Sequence, residues 1–209
     1  MSNYAKPDAW ALKASKEGYP ARSVYKLQEL AEKYKLFSPK SNGPLRVLDL
    51  GAAPGSWSLY LLRALKNNID LTSCDLSPLS AEYGKQFFSG ANFSFIQGDF
   101  TTASVQNAIR EKAPFDVIAS DAAPATTGNR LVDTARSEEL VSAVLDYAEK
   151  SLRPGGRLVV KLFQGEATAN LLRNASRLFE KSHTFKPKAC RAESFETYLI
   201  GIRKPPAGP

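Results

Sequence analysis

The stretch DLGAAPGSW (49–57) decides the fold. It closes the apolar run LRVLDL (45–50) and opens the helical pattern SWSLYLLRALKN (56–67). A glycine-bearing turn between a strand and a helix is where an open parallel sheet holds its ligand. On the dinucleotide fingerprint G-x-G-x-x-G only Gly51 fits, because Ala53 and Ser56 stand where the second and third glycines belong. The loop therefore lacks the glycines that let a pyrophosphate approach the backbone. Pro54 and Gly55 make a tight turn better suited to a smaller, positively charged ligand.

Acidic residues recur at the following strand ends. Asp75 closes IDLTSCD (69–75), where a carboxylate can accept both hydroxyls of a ribose, and Asp99 follows FSFIQ (93–97), where it can take an adenine amino group. Each is also a natural helix N-cap, Asp99 before FTTAS above all, since strand-to-helix turns favour Asp for that reason alone. Their joint placement on one edge favours a cationic sulfonium over a phosphate.

Further outward, FDVIAS (115–120) and RLVVKLF (157–163) alternate with helical patterns in the 80s, TTASVQNAIREK (101–112), RSEELVSAVLDYAEKSL (136–152) and EATANLLRNASRLF (166–179). This alternation is the signature of an α/β protein with a mostly parallel sheet covered on both faces. SHTFK (182–186) and TYLIGIR (197–203) have no helix between them, which predicts an antiparallel hairpin and seven strands in all. Ahead of the sheet, RSVYKLQELAEKYKLF (22–37) is an amphipathic helix with Val24, Leu27, Leu30, Ala31 and Tyr34 turned inward, a pattern that leaves Lys26 on the solvated face. The expected layout is a basic helical segment over 1–43, a main domain over 44–204 and a frayed tail over 205–209. In GGRLVVKLFQG (155–165) Lys161 interrupts a buried apolar run. A buried ammonium is expensive, so Lys161 is either at the exposed end of its strand or held there for chemistry.

Bulk properties narrow the partners. The 209 residues suit one domain, 43% hydrophobic and 23% charged. No stretch approaches a membrane span, and the first ten residues carry no apolar leader, so a cytoplasmic protein is expected. Cys74 and Cys190 lie far apart, and His183 is the single histidine, so neither a disulfide scaffold nor a metal site is expected. The net charge of +7 is concentrated: residues 1–40 and 181–209 are each +4, and the stretch between them is −1. Basic ends around a near-neutral body point to an anionic partner, nucleic acid first.

Six ordered blocks, DLGAAPGSW, CDLSP, QGDF, SDAAP, VVKLFQG and RAESFETY, resemble the RrmJ/FtsJ family of S-adenosylmethionine-dependent ribosomal RNA ribose 2′-O-methyltransferases. The similarity runs from about Lys13 to Lys204. It implies a Rossmann-like methyltransferase fold with an antiparallel last strand, and S-adenosylmethionine held by Gly51, Gly55, Trp57, Asp75, Asp99 and Asp121. It further implies a catalytic set of Lys26, Asp121, Lys161 and Glu196. Two departures are Ser56, where the bacterial family usually has a second glycine, and PARSVYKL, which is less arginine-rich than the family's amino-terminal segment.

In that reading Asp121, Lys161 and Glu196 reach one rim of the sheet, with Lys26 arriving from the preceding helix. Lys161 is expected to take or share the 2′-OH proton, Asp121 to orient it, and Glu196 to orient Lys26 or the ribose. A competing role keeps Lys161 charged, stabilising the forming alkoxide. The resemblance implies a uridine in the A-loop of 23S ribosomal RNA, presented within the large ribosomal subunit to a monomeric enzyme. Related enzymes act on transfer RNA or messenger caps. A non-catalytic RNA-binding relic and a small-molecule methyltransferase are the rival classes. The relic gives no reason for four polar residues at one rim, and the small-molecule enzyme usually needs a lid.

Overall fold

The computed structural model describes residues 8–38, 42–166, 168–191 and 193–206. Parts of the expected amino-terminal segment (1–7 and 39–41) and of the tail (207–209) lie outside them. The strands are β1 (Leu45–Leu50), β2 (Ile69–Asp75), β3 (Phe93–Gln97), β4 (Phe115–Ser120), β5 (Leu152–Phe163), β6 (Lys181–Phe185) and β7 (Glu196–Ile202). They form a seven-stranded sheet in the order β3-β2-β1-β4-β5-β7-β6. The first five pair in parallel, and β7 lies between β5 and β6, antiparallel to both. The order reverses next to β1, so the β1 and β4 ends open the crevice in which such sheets bind ligands.

The helices are α1 (Ala9–Lys16), α2 (Val24–Tyr34), α3 (Ser56–Leu65), α4 (Ala81–Gly84), α5 (Ala103–Arg110), α6 (Arg130–Ser151) and α7 (Thr168–Leu178). Successive strand residues point to opposite faces, and the two cores follow that rule. Leu48, Ile118, Leu158 and Val160 pack with Val141, Val144 and Leu171 from α6 and α7. Val47, Val117, Val159, Tyr198 and Ile200 pack with Leu27, Leu30, Trp57 and Leu61 from α2 and α3. Leu27 and Leu30 are fully buried, each contributing roughly 1.5–3 kcal/mol. The amino-terminal helix is thus a layer of the main core.

Elements depart from the sequence expectation where local chemistry overrides periodicity. α6 starts six residues early because the Asn129 side chain accepts from the amides of Leu131 and Val132. α1 was not anticipated, although Asp8 caps it by accepting from the Ala11 amide. The 80s segment yields only one helical turn, α4. β5 begins at Leu152, with a register shift against β4 between Phe115 and Val117 that absorbs the RPGG turn.

Candidate active site

Lys26 is 8% exposed, which corrects the solvated position its helical pattern predicts. The start of α2 is pinned down onto the rim by two long side chains. The Trp57 indole donates to the Ser23 carbonyl at 2.9 Å, and the Arg22 guanidinium donates to the Ala189 carbonyl and pairs with Asp8. With its first turn held against the sheet end, α2 points Lys26 at β7 rather than at water.

There Lys26 Nζ meets Glu196 Oε1 at 2.5 Å, the two side chains being 10% and 13% exposed. Lys161 Nζ lies 3.2 Å from Asp121 Oδ1, both nearly as enclosed. One member of each pair comes from neighbouring strands in fixed register, Lys161 of β5 opposite Tyr198 and Glu196 of β7 opposite Phe163. Tyr198 joins them, its hydroxyl 2.7 Å from Asp121 Oδ1 and 2.9 Å from Glu196 Oε1. Burial, then Asp121 and Glu196, pushes this phenol well above its ordinary range, so it remains a donor. Burial also pushes Glu196 upward, but Lys26, Lys161 and the Tyr198 hydroxyl together hold it below the usual carboxylate range. Glu196 is therefore an ionised carboxylate, and the structure brings together the four residues of the expected catalytic set.

A cavity of about 760 Å³ adjoins this cluster, lined by Gly51, Ala53, Asp75, Leu76, Asp99, Phe100 and Asp121 among others. Asp75 accepts from the amides of Ala53 at 2.9 Å and Ser77 at 2.8 Å, one on each oxygen, which fixes it while leaving lone pairs for hydroxyls. Asp99 receives Thr101 on Oδ1. The expected capping role is not seen, since the N-cap of α5 is Thr102. Four carboxylates, Asp75, Asp99, Asp121 and Glu139, against the single cation Arg136, with Leu76 and Phe100 as apolar walls, fit a ligand carrying ribose hydroxyls, an amine and a positive charge better than a phosphate. Gly51 is needed for closeness: it sits at φ +75°, and a Cβ there would lie 2.5 Å from the Ala122 backbone.

Two expected cofactor residues do not line this cavity. Gly55, at φ +109°, starts α3 and faces Phe88. Trp57 is 2% exposed, with its ring 6.0 Å from that of Tyr198, so its side chain supports α2 and β7 from below. Ser56, the departure from the family pattern, is buried, and its hydroxyl has no partner among the described residues. Sequence reasoning passed over Tyr198 and Asp49. Asp49 is fully buried, and its Oδ2 accepts from Ser58 at 2.6 Å while Oδ1 has no partner among the described residues. Burial pushes it up to about 7, against the Ser58 bond and with help from Asp121 and Asp75. The signal was available in LRVLDL, an acid inside an apolar strand just as Lys161 is a base inside one.

Comparison with known proteins agrees with this geometry. A family profile described as FtsJ-like methyltransferase matches residues 19–204. A Treponema denticola protein named ribosomal RNA large subunit methyltransferase E is 48% identical over 202 residues, covering 96% of each chain. A Treponema pallidum protein of the same name is 42% identical, covering 96% of this chain and 95% of that one. Among solved structures, a ribosomal RNA methyltransferase from Plasmodium falciparum superposes with a TM-score of 0.72 at 28% identity, covering 90% of this chain and all of that one. With the profile spanning most of its length and such relatives matching nearly end to end, the chain belongs to the FtsJ-like methyltransferase family.

Proposed function

We propose that this chain methylates a ribose 2′-OH of large-subunit ribosomal RNA, with S-adenosylmethionine as methyl donor. The observation that carries the reading is the double duty of Asp121, which lines the carboxylate cavity and also pairs with Lys161. Through it the donor site is joined to Lys161 and Tyr198, and through Tyr198 to Glu196 and Lys26. The names of the relatives supply the substrate class.

S-adenosylmethionine supplies an electrophilic methyl on a sulfonium. Asp75 would hold its ribose hydroxyls, Asp99 its adenine amino group, and Asp121 its amino acid end. Lys161 acts on the acceptor hydroxyl: once its ammonium has released a proton to solvent, the free amine takes the 2′-OH proton while Asp121 fixes its head. Lys26 and Glu196 hold the acceptor ribose from the α2 side. Alignment of this kind can supply roughly 7–11 kcal/mol of the barrier. The specific target is a uridine of the 23S A-loop, met within the large subunit in the cytoplasm by a monomer. Among the described residues no helix is long and apolar enough to cross a membrane.

The test is methyl transfer from labelled S-adenosylmethionine to large subunits and to bare ribosomal RNA, followed by mapping of 2′-O-methyl positions. Lys161→Arg keeps charge but cannot accept a proton near neutrality. We expect kcat to fall by about 10²–10⁴, and near-normal turnover would leave Lys161 only the electrostatic role.

A further inference from the structure

We propose that the guanidinium of Arg130, seated on the ring of Phe195, is a stacking floor for an unpaired nucleobase beside the reacting ribose. This rests on the RNA reading above and extends it to how the strand is gripped.

Phe195 immediately precedes Glu196 and is held from several directions. Its carbonyl accepts from the Gln164 amide at 2.9 Å, and its ring lies 4.9 Å from that of Phe163 at 71°. The Arg130 guanidinium sits over it, 5.4 Å from the centroid. Arg130 is the first residue of α6 and is exposed. Its neighbour Leu131 is 72% exposed, a large apolar side chain standing in solvent. Both line a cleft of about 890 Å³ together with Gln164, Gly165 and Glu166, a volume within the usual range for small-molecule-sized guests.

Position ties this cleft to the chemistry. Gln164 is three residues beyond Lys161 on an extended chain, a separation of ~10 Å, within reach of one nucleotide whose ribose lies at Lys161. A guanidinium is planar and weakly hydrated, so with one face on Phe195 it can take a π-system on the other. Stacking on aromatic and guanidinium planes is how proteins hold splayed bases of single-stranded RNA, and a base inside a duplex has no free face to offer. The occupant is therefore an unpaired nucleotide, with the basic surplus of the chain attracting its backbone. Arg22, on the other flank, is engaged by Asp8 and the Ala189 carbonyl.

The experiment has two arms. In the first, kcat and KM for RNA are measured for Arg130→Ala, Arg130→Lys, Phe195→Leu and Phe195→Tyr, with S-adenosylhomocysteine affinity by calorimetry as the folding control. Arg130→Ala, Arg130→Lys and Phe195→Leu should each raise KM for RNA roughly 5- to 100-fold, leaving kcat and S-adenosylhomocysteine affinity near wild type; Phe195→Tyr should behave as wild type. Rescue by Arg130→Lys would reduce the contact to charge, and a fall in kcat at constant KM in Phe195→Leu would make Phe195 a mere support for Glu196. Either result overturns the floor. The second arm needs no turnover: a single-stranded oligonucleotide carrying 2-aminopurine should be quenched on binding the wild type and not Arg130→Ala. Equal quenching by both, with methyl transfer intact, overturns the floor alone. Arg130-dependent quenching without methyl transfer overturns the enzymatic reading alone.

Discussion

Asp49 and Glu196 are acids on the same face of the sheet, both largely withdrawn from water, and they end in opposite states. Burial pushes both upward, yet Asp49 rises to about 7 while Glu196 settles below the usual carboxylate range. The difference lies in the neighbours. Asp49 has one serine hydroxyl and two nearby acids, Asp121 and Asp75, and Glu196 has Lys26 at 2.5 Å, Lys161 farther off and the Tyr198 phenol. Both acids are stripped of water, and a neighbouring cation decides whether that loss prevails. One acid is thereby kept near neutrality behind the glycine turn, while the other is fixed as an anion at the reaction edge.

Removing the cation is the severest way to break the contrast. Lys26→Met leaves Glu196 enclosed with its main partner gone, and orphaning one member of a buried pair costs about 3–5 kcal/mol. The slight exposure of both side chains places the expected loss at the low end, about 3 kcal/mol by urea unfolding at pH 7. Turnover should fall about 10²-fold or more, since both the pair and the ribose contact go. The pH dependence has a definite sign. A carboxyl depressed in the folded state stabilises above its unfolded value, and that contribution is lost as pH falls through the folded value. The stability advantage of the wild type over Lys26→Met should therefore narrow on acidification below about pH 4. An advantage that stays constant there would show that Lys26 acts by packing alone.

Asp49 provides the opposite sign. Its folded value of about 7 lies above the unfolded one, so its contribution is fully present below the unfolded value and declines as pH rises through 7. Asp49→Asn cannot ionise and should gain on the wild type by roughly 2–3 kcal/mol between pH 5 and pH 8. Parallel pH–stability curves for the two proteins would mean that Asp49 is already ionised at pH 5 and that the contrast with Glu196 is false.

The same two acids show what a sequence discloses. The strands and most of the helices were legible because alternation and 3.6-residue periodicity are set by neighbours in the chain. The strand-end carboxylates lining the cavity were legible because strand ends converge on one edge by topology. Lys26 was legible through the resemblance alone, since its periodicity places it in water and two contacts with residues distant in sequence, Trp57 to Ser23 and Arg22 to Ala189, turn it inward. The buried indole of Trp57 was not legible either: the resemblance gives Trp57 to the cofactor, whereas its side chain donates to the Ser23 carbonyl, 34 residues away. Asp49 carried a local signal that resembles the one at Lys161, but its state depends on the absence of a cation, which no local pattern records. α1 and the early start of α6 hinge on single capping side chains, Asp8 and Asn129, too short a signal to outweigh periodicity.

Tyr198→Phe is the gentlest change and separates the lysine from the phenol as the source of the low Glu196 value. The hydroxyl has one proton and two acceptors, at 2.7 Å and 2.9 Å, so it bonds one carboxylate fully at any moment. A hydrogen bond to a charged group is worth about 1.5–3 kcal/mol. Here neither acceptor is orphaned by its loss, because Lys161 still holds Asp121 and Lys26 still holds Glu196. The expected cost is therefore nearer 1 kcal/mol, with the ring left to pack against Trp57. Burial still pushes Glu196 upward, and with the phenol bond gone but Lys26 in place, the acid limb of activity should move to higher pH by less than it does in Lys26→Met. A larger shift in Tyr198→Phe than in Lys26→Met would transfer the dominant role from the ammonium to the phenol, because the lysine is intact in one of them and absent in the other.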